Sequence, residues 1–423
     1  MSDLHVVVVG AGLAGLACAR HLHAKGVDVQ VLEAADDVGG RVRTDEIDGF
    51  LLDRGFQVLL TAYPECQSQL DYRALDLHSF FPGAAVRLDG RFHTVADPWR
   101  KPLAGLLGAL APIGTLGDKL RVARLRRRLL LTDLDTVFSR SERTTLRALQ
   151  DDGFSEAMIE RFFRPFLGGI FLERELQTSS RMFEFVYKMF SSGSTALPAA
   201  GMQAIPRQLA GSLPAGAVRT GARVREIEAR RVRLESGEWI EGDAIVLASA
   251  FPEDPELVPD QREIAWCSTT CLYYSAEEAP MTRPILMLNG DGDGPVNNLC
   301  VPSQVASSYA PQGRALISAS VIAGPGSDPL PDGELESAVR SQLRGWFGAA
   351  VESWEMLRLY RVRDALPRQE PPHLEPPERS VRLEDRLYVC GDHRDNASIQ
   401  GALVSGRRAA EALLADLRPT PPP

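Results

Sequence analysis

One stretch, from His5 to Glu33, constrains the fold of this chain more than any other. His5-Val6-Val7-Val8-Val9 runs without polar alternation, as a strand covered on both faces does. Gly10-Ala11-Gly12-Leu13-Ala14-Gly15 follows directly, and Leu13, Leu16, Ala17 and Leu22 recur at helical spacing. Val27 to Leu32 reads as a second strand, with Glu33 at its end. This is G-x-G-x-x-G in the strand–turn–helix setting that gives the motif its meaning. Gly10 turns the chain tightly out of the strand, Gly12 lets a pyrophosphate approach the backbone, and Gly15 lets the helix pack on the sheet. The helix start offers free N–H groups and a positive dipole end to phosphates. Glu33 can accept from both hydroxyls of an adenosine ribose and disfavours a 2′-phosphate, which argues against NADP. An ordinary glycine turn would need neither Gly12 nor Glu33.

Gly39-Gly40-Arg41 comes soon after Glu33, with Thr44 beyond it. At this spacing a flexible backbone and a guanidinium can return across the pyrophosphate, where bidentate pairing is strong. On these residues the chain resembles the flavin-dependent amine oxidase superfamily, which includes monoamine and amino-acid oxidases, protoporphyrinogen oxidases and phytoene desaturases. Further stretches carry the resemblance: Phe50 to Gln57, beside the flavin ring in that family; Gly201 to Pro206, its re-entry into the cofactor domain; Val218 to Ile227 and Gly242 to Ala248, its returning strands; Leu387 to Asp392 and Ser398 to Ala410, its last strand and helix.

The resemblance implies an α/β fold: a discontinuous Rossmann-like FAD-binding domain of glutathione-reductase type, with a mixed α+β substrate-binding domain. The FAD domain is expected at 1–75, 198–262 and 355–417, the substrate domain at 76–197 and 263–354, and a disordered tail at 418–423. Motif and resemblance together give the expected FAD contacts. They are Gly10, Gly12, Leu13, Ala14, Gly15, Glu33, Ala34, Gly39, Gly40 and Arg41 at one end. Gly55, Phe56, Gln57, Val224, Ala248, Gly391, Asp392, Ser398, Ile399, Gln400 and Ala402 complete them. In the family, the backbone at the position of Val224 meets the adenine, the acid at Asp392 binds ribityl or phosphate, and the last helix points its positive end at the flavin.

Composition narrows the function. Hydrophobic residues make up 44% of the 423, enough for a substantial core. A net charge of −9 argues against nucleic-acid binding. The six cysteines are scattered and complete no metal pattern, so buried free thiols in a cytoplasmic protein are expected, with no metal site. Asp3 and the missing basic segment read against a signal peptide, and no stretch reaches transmembrane length.

The first insertion reads as mostly helical: Asp118 can cap a helix over Lys119–Leu131, and Ser155 can start another. The second alternates like strands at Ser268–Ser275, Ile285–Leu288 and Ala315–Ile322 and closes with a helix near Asp332–Phe347. Asn289 to Gly294 is superficially calcium-like but reads as a hairpin turn. Leu366 to Arg379 is Pro-rich and extended.

Phe162, Phe163, Phe166, Phe171, Phe183, Phe185, Tyr187 and Phe190 crowd one stretch. They form either the core of the helical domain or an apolar tunnel to the flavin. The basic run of Lys119, Arg121, Arg124, Arg126, Arg127 and Arg128 beside apolar Pro102–Leu116 is either a solvated helix face or a peripheral attachment to an anionic membrane through 102–131.

Amine oxidases of the superfamily usually carry a lysine near the flavin, yet the four lysines here (Lys25, Lys101, Lys119, Lys188) all lie outside 263–354. Ser398 and Ile399 stand where an amine-caging aromatic often sits, and Arg363-Asp364-Ala365-Leu366-Pro367 resembles the A-L-P of desaturases and protoporphyrinogen oxidases. The resemblance therefore points to hydride removal from a hydrophobic small molecule. Amine or amino-acid oxidation is the alternative, followed by a redox-neutral flavin isomerase and a flavin-free lipid-escort protein. His393, Arg394, Lys188 and Tyr187 are chemically competent side chains, but none is assigned a catalytic role.

Overall fold

A computed structural model describes residues 4–108, 111–228, 230–249, 264–322 and 330–417. The expected tail at 418–423 and the boundary at 262–263 lie outside the described residues.

The dinucleotide sheet has strand order Val218–Arg219, Asp28–Leu32, His5–Val9, Ala244–Leu247, Leu387–Val389 and Arg382–Glu384. The first five run parallel and the sixth antiparallel. Its two faces explain the unbroken apolar run. Val6 and Val8 pack with Leu16, Leu403 and Ala409 of the helices Leu13–His23 and Ile399–Asp416. Val7, Ile245 and Leu247 pack with Val232, Leu234 and Ile240 of an antiparallel three-stranded sheet. Neither face can be polar. The two helices cross closely because Gly406 has no side chain; a Cβ there would stand 2.2 Å from the Ala14 carbonyl oxygen.

The second large sheet has seven strands, in the order Glu355–Pro367, Trp266–Ala276, Ala315–Val321, Val296–Cys300, Leu286–Asn289, Gly83–Leu88 and Arg91–Ala96. Three of its features differ from the sequence reading. The first insertion is not helical from its start: Gly83–Leu88 pairs in parallel with Leu286–Asn289 and joins the two insertions in one sheet. The residues from 355 to 367 belong to this sheet too, because Glu355–Pro367 pairs along Trp266–Ala276. The line drawn at 355 therefore falls before a strand of the substrate side. Val296–Cys300, a strand without alternation, was not anticipated; all five of its residues are buried.

Helices cover the rest of the first insertion. Leu116–Leu131 starts one turn earlier than expected. Thr115 is the cap, and Asp118 answers it from the third position in a reciprocal pair of hydrogen bonds. Ser155 caps its own helix as expected, accepting from the Met158 N–H. The helix Asp332–Phe347 has the expected bounds. Asn289 closes the hairpin by donating to the Asp293 and Val296 carbonyls. All six cysteines are buried and free, and no metal-ligand cluster occurs among the described residues.

Candidate active site

A continuous cavity of about 1590 Å³ runs between the two large sheets. A pocket for one drug-sized ligand has roughly 300–1,000 Å³, so this one has room for a dinucleotide and a substrate together. Of the expected contacts, the cavity is lined by all except Gly15 and Gln400. Gly15 instead serves packing, since a Cβ there would meet the Gly10 carbonyl oxygen at 2.0 Å. The Gln400 side chain turns away and accepts from the Glu65 N–H.

At the end of the cavity nearest the first glycine turn, Gly10 has φ +108°, a region open to glycine. A Cβ added at Gly12 meets nothing within 4 Å, so the protein leaves that space empty. The helix Leu13–His23 behind it has neither a side-chain cap nor an acid in its first turn. Its first N–H groups and positive dipole end thus line the cavity with no side-chain partner among the described residues, which fits a diphosphate. Gly39 bridges back to Gly12, bringing the Gly39-Gly40 turn against the first one. Glu33 lines the cavity and accepts from the Ala11 and Ala35 N–H groups at 2.7 and 2.9 Å. The carboxylate is thereby aimed, with lone pairs left for ribose hydroxyls. Val224 lines the cavity from the first strand of the small antiparallel sheet, and Ala222 donates its N–H to the Glu33 carbonyl.

In the middle of the site Arg41 departs from expectation. Its guanidinium is not directed at open space but pairs with Asp392 at 2.5 Å and donates to the Ala365 carbonyl. It also lies 5.3 Å from the Trp266 ring centroid. The pair offsets the Asp392 charge, which a site for an anionic cofactor requires. His393 is 3% exposed and neither ring nitrogen has a hydrogen-bond partner among the described residues. Burial holds its pKa down to about 4, so the ring is neutral. An orphaned buried imidazole in the cavity wall is a hydrogen-bonding group awaiting a partner. Arg394 bonds its N–H to the Gly391 carbonyl. Lys188 donates to the Leu129 carbonyl and does not line the cavity.

Toward the other sheet, the Gln57 side chain donates to the Arg41 carbonyl, and Phe56 meets Phe80 edge-on. Ser398 caps the last helix by accepting from the Gly401 N–H, so Ser398, Ile399 and Ala402 present that helix's positive end to the cavity. These placements fit FAD: a glycine cradle, an uncapped helix end, an acid at the ribose position and a second helix end further in.

The aromatic cluster divides. Phe162, Phe166, Phe171, Tyr187 and Phe190 line the cavity, whereas Phe163, Phe183 and Phe185 are buried in the helical core. Phe162 and Phe166 stack at 5.4 Å, and Phe190 leans on Phe166 at 5.2 Å. The sequence reading missed Thr269, Asn298 and Val362, which reach the cavity from the seven-stranded sheet. Nothing local marks them, because their place depends on strand pairing across distant segments.

Comparison with known proteins gives the family. The model for flavin containing amine oxidoreductases matches residues 13–414. A phytoene dehydrogenase of Streptomyces griseus is 31% identical over 59% of this chain and 54% of its own length, so the match spans about half of that relative. A coproporphyrinogen III oxidase of Propionibacterium freudenreichii is 24% identical over 96% of this chain and 88% of its own. The crystal structure of an oxidoreductase from Methanosarcina mazei superposes with a TM-score of 0.74 at 18% identity, over 96% of this chain and all of that one. At that identity the superposition speaks for the fold alone.

Proposed function

The chain belongs to the flavin-containing amine oxidoreductase family, and from that premise we propose that it is an FAD-dependent dehydrogenase of a hydrophobic small molecule. The observation that carries this reading is the cavity's wall beyond the flavin end. It is built from Phe162, Phe166, Ile170, Phe171, Val186 and Phe190. The carboxylates in the lining are all committed among the described residues. Glu33 and Asp392 belong to the cofactor end, and Asp97 is ion-paired with Arg100. No lining carboxylate is left to hold a substrate ammonium, which counts against amine oxidation. The relatives named above for phytoene and coproporphyrinogen III agree with large apolar or amphipathic substrates.

Bound FAD supplies the acceptor for a hydride leaving a substrate carbon. The chain supplies position and dryness. The stacked Phe162–Phe166 pair and Phe190 hold a flat or extended apolar body by dispersion and exclude water. Gly55, Phe56 and Gln57 line the cavity and would form the wall between substrate and cofactor, with Gln57 fixed by its bond to the Arg41 carbonyl. The positive end of Ile399–Asp416 stabilises negative charge that develops there. Neutral His393 can donate one hydrogen bond at the cofactor end without adding charge.

The test is anaerobic bleaching of the visible flavin band by a substrate panel. Carotenoid precursors and porphyrinogens should bleach it, and amines and amino acids should not. Bleaching by amines alone would transfer the assignment to amine oxidation.

A further inference from the structure

Large apolar side chains are unevenly exposed on this protein. Trp99, Leu103, Leu116, Leu120, Leu130 and Leu131 are exposed within one stretch, and only Leu330 and Met356 join them elsewhere among the described residues. Leu103, Leu116, Leu120 and Leu131 are 82%, 72%, 73% and 77% exposed. Such clustering marks an interaction surface.

The helix Leu116–Leu131 is two-faced. Lys119, Val122 and Arg126 line the cavity, and Leu125 and Leu129 are buried. On the other side Leu116, Leu120, Arg124, Arg127 and Leu131 follow one another at helical spacing, all exposed. Trp99 is 50% exposed and also lines the cavity, with Arg126 stacked 4.4 Å from its ring centroid. A residue that belongs to both surface and cavity marks the mouth. The exposed leucines are carried by the segments 99–108 and Leu116–Leu131, which also wall the cavity beside Trp99.

The charges on this face are also unusual. Arg121 and Arg128 are paired with Asp118 and Asp152. Arg124, Arg127 and the exposed Lys101 have no ion-pair partner among the described residues, in a chain of net charge −9. Unpaired cations interleaved with exposed leucines match the headgroups and acyl boundary of an anionic bilayer. Exposed Asp133 and Asp135 follow Leu131 and bound the patch on one side.

We propose that the outward face of Leu116–Leu131, with Trp99 and Leu103, docks on an anionic lipid bilayer and opens the cavity mouth onto it. No helix among the described residues is long and apolar enough to cross a membrane, so the contact is interfacial. A lipid-dissolved substrate would then reach the tunnel without passing through water. The docking is read without turnover, so its failure is separable from failure of the proposed reaction.

The test is flotation of the flavin-loaded protein with vesicles of equal parts phosphatidylglycerol and phosphatidylcholine, and with phosphatidylcholine alone. The protein should float with the anionic vesicles, and added salt should weaken the association. Arg124→Ala/Arg127→Ala should lower partitioning on the order of 30-fold, from about 1 kcal/mol per basic residue. Leu116→Ser/Leu120→Ser should lower it as well, with flavin content unchanged in both. The proposal is overturned if the parent stays in the soluble fraction, or if the arginine variant floats equally well. A parent dimer in light scattering that the leucine variant dissociates, without vesicle binding, would assign the face to a second copy instead.

Discussion

The Tyr309 hydroxyl donates a 2.9 Å hydrogen bond to the Asp53 carboxylate across 256 residues of sequence. Asp53 also accepts from the Thr44 hydroxyl and the Met202 N–H, and its carbonyl accepts from the Tyr273 hydroxyl. One buried acid thus ties the Phe50–Asp53 strand to the chain's re-entry at Met202 and to both sides of the second insertion. Gly55, Phe56 and Gln57, at the proposed flavin wall, begin two residues after it.

Burial pushes the Asp53 carboxyl up to about 6 from 3.8. Between those values the unfolded chain has released a proton that the folded chain keeps. The stability this group contributes is therefore present below about pH 4 and lost as pH rises toward 6. His393, held down to about 4 from 6.5, acts with the opposite sign over a similar window. Tyr309→Phe removes a donor that matters when Asp53 is ionised. We expect a loss of about 1–3 kcal/mol at pH 8 and a smaller one at pH 5. Denaturant midpoints at the two pH values check this, and an equal loss at both would refute the assignment.

The second and third glycines of the first motif should separate by phenotype. Gly12→Ala places a methyl group in space that the protein leaves empty, so its stability should change by no more than about 0.5 kcal/mol. Its flavin content should fall sharply. Gly15→Ala drives a methyl group into the Gly10 carbonyl and should cost about 1–3 kcal/mol of stability or more. Thermal melts of the apoproteins beside flavin absorbance distinguish the two.

Glu33→Ala should weaken FAD binding by about 1–3 kcal/mol, or about 5- to 150-fold in Kd. Quenching of flavin fluorescence on titration measures it. Unchanged affinity would count against a ribose at this carboxylate.

Phe166→Ala removes a ring that lines the cavity between Phe162 and Phe190. Apolar substrate analogues should bind about 1.5–3 kcal/mol more weakly, about 10- to 150-fold in Kd, with FAD retained. A variant that binds the analogues normally would move the substrate elsewhere.

Some of this was fixed by sequence alone. The turn from Gly10 to Gly15, the acid at Glu33 and the Gly39-Gly40-Arg41 return are local: each depends on backbone freedom or a charge within a few residues of its neighbours. The cap at Ser155 and the helix Asp332–Phe347 were legible for the same reason. What tertiary structure decided depended on distant pairing. Glu355–Pro367 joins the substrate sheet because Trp266–Ala276 lies beside it, and the local hairpin of Gly83–Leu88 and Arg91–Ala96 joins it because Leu286–Asn289 accepts its ladder. Which phenylalanines face the cavity and which the core, and the capture of Arg41 by Asp392, follow from the packing of elements hundreds of residues apart. A sequence pattern states which side chains must leave water; only the assembled chain determines what they meet.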